Sequence, residues 1–103
     1  MAKANVDEFE AFIDEGIRQS ENRGYHPTVF TRMRQQYGTI PAIERLVKAG
    51  EIQSGFLKLQ KLNMLEWSIE AAVQKFPDKF TQEARDCADF RLKNINDKAL
   101  RTR

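Results

Sequence analysis

The chain carries one cysteine and one histidine in 103 residues. A single cysteine, Cys87, excludes an intramolecular disulfide framework and a cysteine-rich zinc site. A single histidine, His26, leaves little for general acid–base work. No long uncharged apolar run is present, so no segment is expected to span a membrane. Met1–Glu10 is acidic and polar and has no signal-peptide core, which makes a reducing, cytoplasmic setting the expectation. An excess of one charge is also missing. Seventeen Lys and Arg face fifteen Asp and Glu, for a net charge of +2. Electrostatics alone will not drive such a chain onto DNA or an acidic membrane. No run alternates as a strand would, and no internal repeat is visible. The length suits one domain and is too short for two.

What is present is helical punctuation. Gly24, Gly38 and Gly50 each follow an apolar helical pattern, where a left-handed cap is wanted, and Pro27, Pro41 and Pro77 fall near helix starts or just past a helix end. Asn5 is expected to cap a first helix, with Asp7 and Glu8 in its first turn and Val6, Phe9, Ile13 and Ile17 on one face, widened by Phe12. This helix should end before Gly24. His26-Pro27-Thr28 opens a second, with Phe30, Met33 and Tyr37 on one face and Gly38 as its stop. Thr39 caps a third, which buries Ile40, Ile43, Leu46 and Val47 and pairs Glu44 with Lys48 outward. Gly50 stops it.

Ser54 is expected to cap a short fourth helix carrying Phe56, Leu57 and Leu59. Asn63 with Glu66 reads as a capping box for a fifth. The inner face of that helix is Leu65, Ile69, Ala72, Val73 and Phe76, and Pro77 ends it. Thr81 caps a sixth, with Ala84, Cys87, Ala88, Leu92 and Ile95 inward. These signals predict an all-α fold, a single compact bundle of five to six short helices. The domain spans 1–95, and 96–103 is read as a basic, frayed tail.

The ordered set Tyr25-His26-Pro27-Thr28, Phe30, Met33, Gly38, Leu46, Ser54-Gly55-Phe56, Leu59, Ser68-Ile69-Glu70, Phe76, Phe80-Thr81 and Leu92 resembles a recurring bacterial module. It is similar to a helical segment found at the end of various bacterial proteins, some of them restriction- or nuclease-like, and also alone. The resemblance covers Gly24 to Leu92. It implies a bacterial, DNA-related context and supplies no catalytic residue.

The side chains that carry chemistry are few. His26 precedes a proline at a helix start, where capping or loop packing is preferred over catalysis. Cys87 lies on an apolar helix face, with nothing nearby in sequence to lower its pKa, so it is read as a buried structural thiol. Glu66 and Glu70 are four apart, but a cation needs more oxygen ligands than this pair offers. Glu70 is expected to anchor a loop or an arginine such as Arg45 or Arg91, and Ile69 and Phe56 are expected to be structural. No catalytic residue, metal or cofactor is expected.

Two binding readings follow. Phe30–Val47 has the outline of a helix-turn-helix, with Arg32, Arg34, Arg45 and Lys48 available to phosphates and Gln35 to base edges. Against it, Arg34 stands where that motif wants a small residue, and Ile40 and Pro41 stand where base-reading side chains belong. Any nucleic-acid binding should be weak and non-specific. Trp67 and Phe90 lie off the main apolar stripes. With Phe12 they form either a second internal contact or a protein-interaction surface, self-association included. The leading expectation is a non-catalytic interaction or accessory module with an unknown protein partner. The alternative is a weak nucleic-acid binder through Arg32–Lys48.

Overall fold

A computed structural model describes residues 7–49 and 54–95, with only the backbone of Ser54. Six α-helices run in order: α1 Glu8–Asn22, α2 Thr28–Tyr37, α3 Thr39–Val47, α4 Ser54–Lys61, α5 Ile69–Lys75 and α6 Gln82–Asn94. Two 3-10 turns, Leu65–Trp67 and Pro77–Lys79, flank α5. No strand occurs among the described residues. The protein is a single all-α bundle. None of the described helices is long and apolar enough to cross a membrane. The expected Asn5 cap, Val6, the Gly50 stop and the 96–103 tail lie outside the described residues, as does the Ser54 side chain.

The helix ends are set by local chemistry. Asp7 is the cap of α1, its carboxylate accepting from the Phe9 and Glu10 amides at 2.9 and 3.2 Å. At the other end Gly24 has φ +86°, and the Gly24 and Tyr25 amides return to the carbonyls of Glu21 and Ser20. That pair of bonds is a Schellman closure, which needs a residue tolerant of positive φ. Gly38, at φ +95°, both ends α2 and begins α3, so a single residue joins the two helices. Thr39 is thus the first residue of α3 rather than its cap.

The stretch after α4 departs from expectation. Asn63 does not begin a helix; it closes one. It has φ +61°, and the Asn63 and Met64 amides bond back to the carbonyls of Gln60 and Leu59. Asparagine is the residue other than glycine best suited to this left-handed position. Leu65, Glu66 and Trp67 then form a 3-10 turn, and Ser68 caps α5, its hydroxyl accepting from the Ala71 amide at 3.0 Å. Glu66 is exposed on that turn and makes no capping box.

The core joins α1, α2, α3, α5 and α6 through Phe9, Ile13, Phe30, Ile43, Val47, Val73, Ala84 and Ala88. Ala42, Ala72, Ala84 and Ala88 are fully buried, and these small side chains let α3, α5 and α6 approach closely. Phe9 meets Phe76 and Phe80 edge-on, at centroid distances of 5.3 and 5.7 Å, a favoured ring geometry. Ile69 and Phe76 pack on the core half-buried, and Leu65 is half-buried in its turn. On α6, Ala84, Ala88 and Ile95 face inward as expected. Cys87 and Leu92 are only half-buried, and the inward position between them is taken by Arg91.

Polar ties lock the helices together. Thr81 caps α6 and accepts from the Ala84 amide at 3.2 Å. Its own amide and hydroxyl donate to the Glu44 carboxylate of α3 at 2.8 and 3.0 Å. Arg34 bridges from α2 to α1 through Asp14 at 2.8 Å and through Glu10, and donates to the Thr39 hydroxyl at 2.9 Å.

Candidate functional site

The Schellman closure after α1 leads the chain through Tyr25, His26 and Pro27 into α2. The Tyr25 phenol comes to lie on Gly55, in the first turn of α4: a methyl group on Gly55 would stand 2.3 Å from its hydroxyl oxygen. Along α1, the 3-10 turn packs on Gly16, where a methyl group would meet the Trp67 carbonyl oxygen at 3.1 Å. Between these two close approaches α1, α2, α4 and the start of α5 border a partly open cavity of about 530 Å³.

The walls come from every side of the gap. Ile13, Gly16, Ile17 and Ser20 line it from α1, Thr28, Val29 and Phe30 from α2, and Leu46 from α3. Gly55, Phe56 and Leu59 line it from α4, and Trp67, Ile69 and Glu70 from the far side. Most of this surface is apolar. Ser20 is buried and donates to the Gly16 carbonyl at 2.9 Å. Tyr25 is half-buried, and burial pushes its hydroxyl above the usual tyrosine range, so it stays protonated. His26 is exposed at the rim and faces the Glu21 carboxylate at 3.8 Å.

Glu70 is the one carboxylate among the described residues of the wall, and it is committed. It is 1% exposed and receives the Arg91 Nη1 donor at 3.0 Å, while Arg91 Nη2 donates to the Ala49 carbonyl at 2.8 Å. Burial pushes the Glu70 carboxyl above the ordinary range, against the pull of Arg91. This pair ties α5, α6 and the end of α3 together beneath the cavity. Of the two arginines considered from sequence, the geometry selects Arg91; Arg45 is exposed and stacks over Tyr37 at 4.1 Å.

The side chains considered for chemistry are scattered. His26 is on the α1–α2 turn and Cys87 on α6, and no hydrogen bond joins them. The Ser68 cap separates Glu66 from Glu70, so they do not share a helix face. Among the described residues no three of His, Cys, Asp and Glu gather as a metal site would require.

The basic set of α2 and α3 is largely engaged within the fold. Arg34 is held by Glu10 and Asp14, Lys48 lies 3.1 Å from Glu44 and 4.0 Å from Glu83, and Arg45 is stacked. Arg32 and Gln35 are exposed. Of the aromatic trio, Phe12 and Trp67 stack at 5.1 Å with a 27° interplanar angle, both half-buried. Phe90 is 58% exposed on α6, and no ring contact joins it to either. Trp67 therefore makes the internal contact with the first helix and also lines the cavity, while Phe90 stands apart.

The sequence did contain a signal for this cavity. Gly16 and Gly55 lie inside helical patterns, where glycine costs stability and marks a close approach of another group. No protein-family model, curated protein or solved structure matches the chain.

Proposed function

We propose that this domain is a non-catalytic interaction module, acting by binding rather than by turnover. The observation that carries the reading is the recess between α1, α2 and α4, lined by both apolar and polar side chains, whose one carboxylate among the described lining residues, Glu70, is already occupied by Arg91. A concave recess of that size with apolar walls and a few placed polar groups is the ordinary form of a binding site. Most residues behind the resemblance to a bacterial module line this recess, among them Tyr25, Pro27, Phe30, Gly55, Phe56 and Glu70. Direct binding of nucleic acid is the less supported reading, because Arg34, Arg45 and Lys48 are engaged within the fold.

The test is site-specific photo-crosslinking in the native host. A benzophenone amino acid is placed at Val29, at Phe90, or at the exposed control position Asp78. A discrete adduct is expected from Val29 or Phe90 and not from Asp78. An adduct of twice the chain mass would identify self-association. No discrete adduct at either apolar position would refute the reading.

A further inference from the structure

We propose that the cavity itself takes a small apolar molecule, chiefly aromatic, with one hydrogen-bonding group that meets the Tyr25 hydroxyl. The inference rests on the reading of the chain as a binding module and specifies what enters its recess.

Burial of the lining sets the shape of the occupant. Ile13, Ser20, Phe30, Phe56, Leu59 and Glu70 are each buried to 8% exposure or less, yet all face the cavity. The exposed described residues of the lining are His26, Thr28 and Val29, consecutive but for Pro27. Among the described residues, the buried part of the lining forms the floor and the exposed part lies at the start of α2. A docked helix instead needs a row of exposed apolar anchors along a groove. Here Val29 is the only exposed apolar side chain among the described lining residues. A compact ligand fits this shape, and about 530 Å³ falls within the range of small-molecule pockets.

The chemistry of the wall sets the class. The rings of Phe30, Phe56, Trp67 and Tyr25 offer faces and edges to an aromatic guest. Ser20 is committed to Gly16 and Glu70 to Arg91, and among the described lining residues the half-buried Tyr25 hydroxyl is placed to meet a ligand. Desolvating that hydroxyl without a partner would cost affinity, so the guest should supply one.

The experiment titrates the purified 103-residue chain with 1-naphthol and with naphthalene. Trp67, the only tryptophan, serves as the fluorescence reporter, and calorimetry gives the stoichiometry. Saturable one-to-one binding is expected, with 1-naphthol the tighter ligand. Val29→Trp, at a side chain 58% exposed, should cover the exposed part of the lining and weaken binding at least about tenfold with circular dichroism unchanged. Tyr25→Phe should abolish the preference for 1-naphthol over naphthalene, and Asp78→Ala, at the exposed control position, should change nothing. Absence of saturable binding, or binding by Val29→Trp equal to wild type, would overturn the proposal. A protein adduct at Val29 without small-molecule binding would leave the module reading standing and sink this one.

Discussion

Replacing Arg91 with methionine tests the buried tie beneath the cavity. The Arg91 and Glu70 side chains are 5% and 1% exposed and meet at 3.0 Å. Methionine keeps the stem of the side chain and removes the charge. It leaves the Glu70 carboxylate in apolar surroundings and takes a donor from the Ala49 carbonyl. Breaking a buried pair from one side costs about 3–5 kcal/mol. A domain of this size has roughly 5–15 kcal/mol in total, so the variant should lose about a fifth of its stability or more and melt more than about 10 °C lower. Urea unfolding followed by far-UV circular dichroism, with m-values compared, measures the loss.

Replacing both partners, Glu70→Leu with Arg91→Met, removes the stranded charge and should recover most of the loss. The pH dependence has a definite sign. Burial raises the Glu70 pKa in the folded state, so the contribution of this group is present at low pH and lost as pH rises through that raised pKa. Without Arg91 the carboxylate is still harder to ionise, so the penalty of Arg91→Met should be larger near about pH 8 than near about pH 5. A penalty below about 1 kcal/mol with an unchanged m-value would refute the assignment of Glu70–Arg91 as a structural tie.

Three further outcomes are expected. Gly55→Ala should destabilise the wild type, because the new methyl group meets the Tyr25 hydroxyl at 2.3 Å. In a Tyr25→Phe background the same change should become neutral or stabilising by up to about 1 kcal/mol, the helix propensity gained by alanine, and chemical denaturation of the four proteins decides this. Asn63→Gly should be neutral within a few tenths of a kcal/mol, whereas Asn63→Ala should cost about 1 kcal/mol, because only the left-handed backbone distinguishes them. Burial works to raise the Glu44 pKa, but hydrogen bonds from Thr81 and Lys48 outweigh it and hold the folded value below 4.5. The stability Glu44 contributes is therefore present above that value and lost as pH falls through the folded pKa, so Glu44→Gln should show a shallower decline on acid titration.

The helices were legible in the sequence because their signals are local. Gly24 and Gly38 mark chain reversals through positive φ, and Thr81 caps α6 through a bond to an amide three residues on. The spacing of Phe9, Ile13, Val73, Ala84 and Ala88 announces which faces turn inward, since a helix repeats every few residues whatever it packs against. The misreading at Asn63 has a local cause as well. Asparagine serves equally at the start of a helix and in the left-handed position after its end, and a glutamate three residues on favoured the wrong choice.

Tertiary structure alone decided the rest. The sequence offered Arg45 and Arg91 alike as partners for Glu70, and only the arrival of Glu70 from α5 and of Ala49 just past α3 selects Arg91 and makes its burial tolerable. Arg34, Arg45 and Lys48 form a basic series along the chain, yet the fold supplies each with a carboxylate or a ring. Trp67 stood between core and interface until the Gly16 backbone and the Phe12 ring were placed against it. Gly16 and Gly55 each signal a close approach, but neither segment alone says that a recess lies between them. It exists where two glycines let a tyrosine and a tryptophan approach opposite helices, and such a space depends on relative helix positions that local residue preferences do not fix.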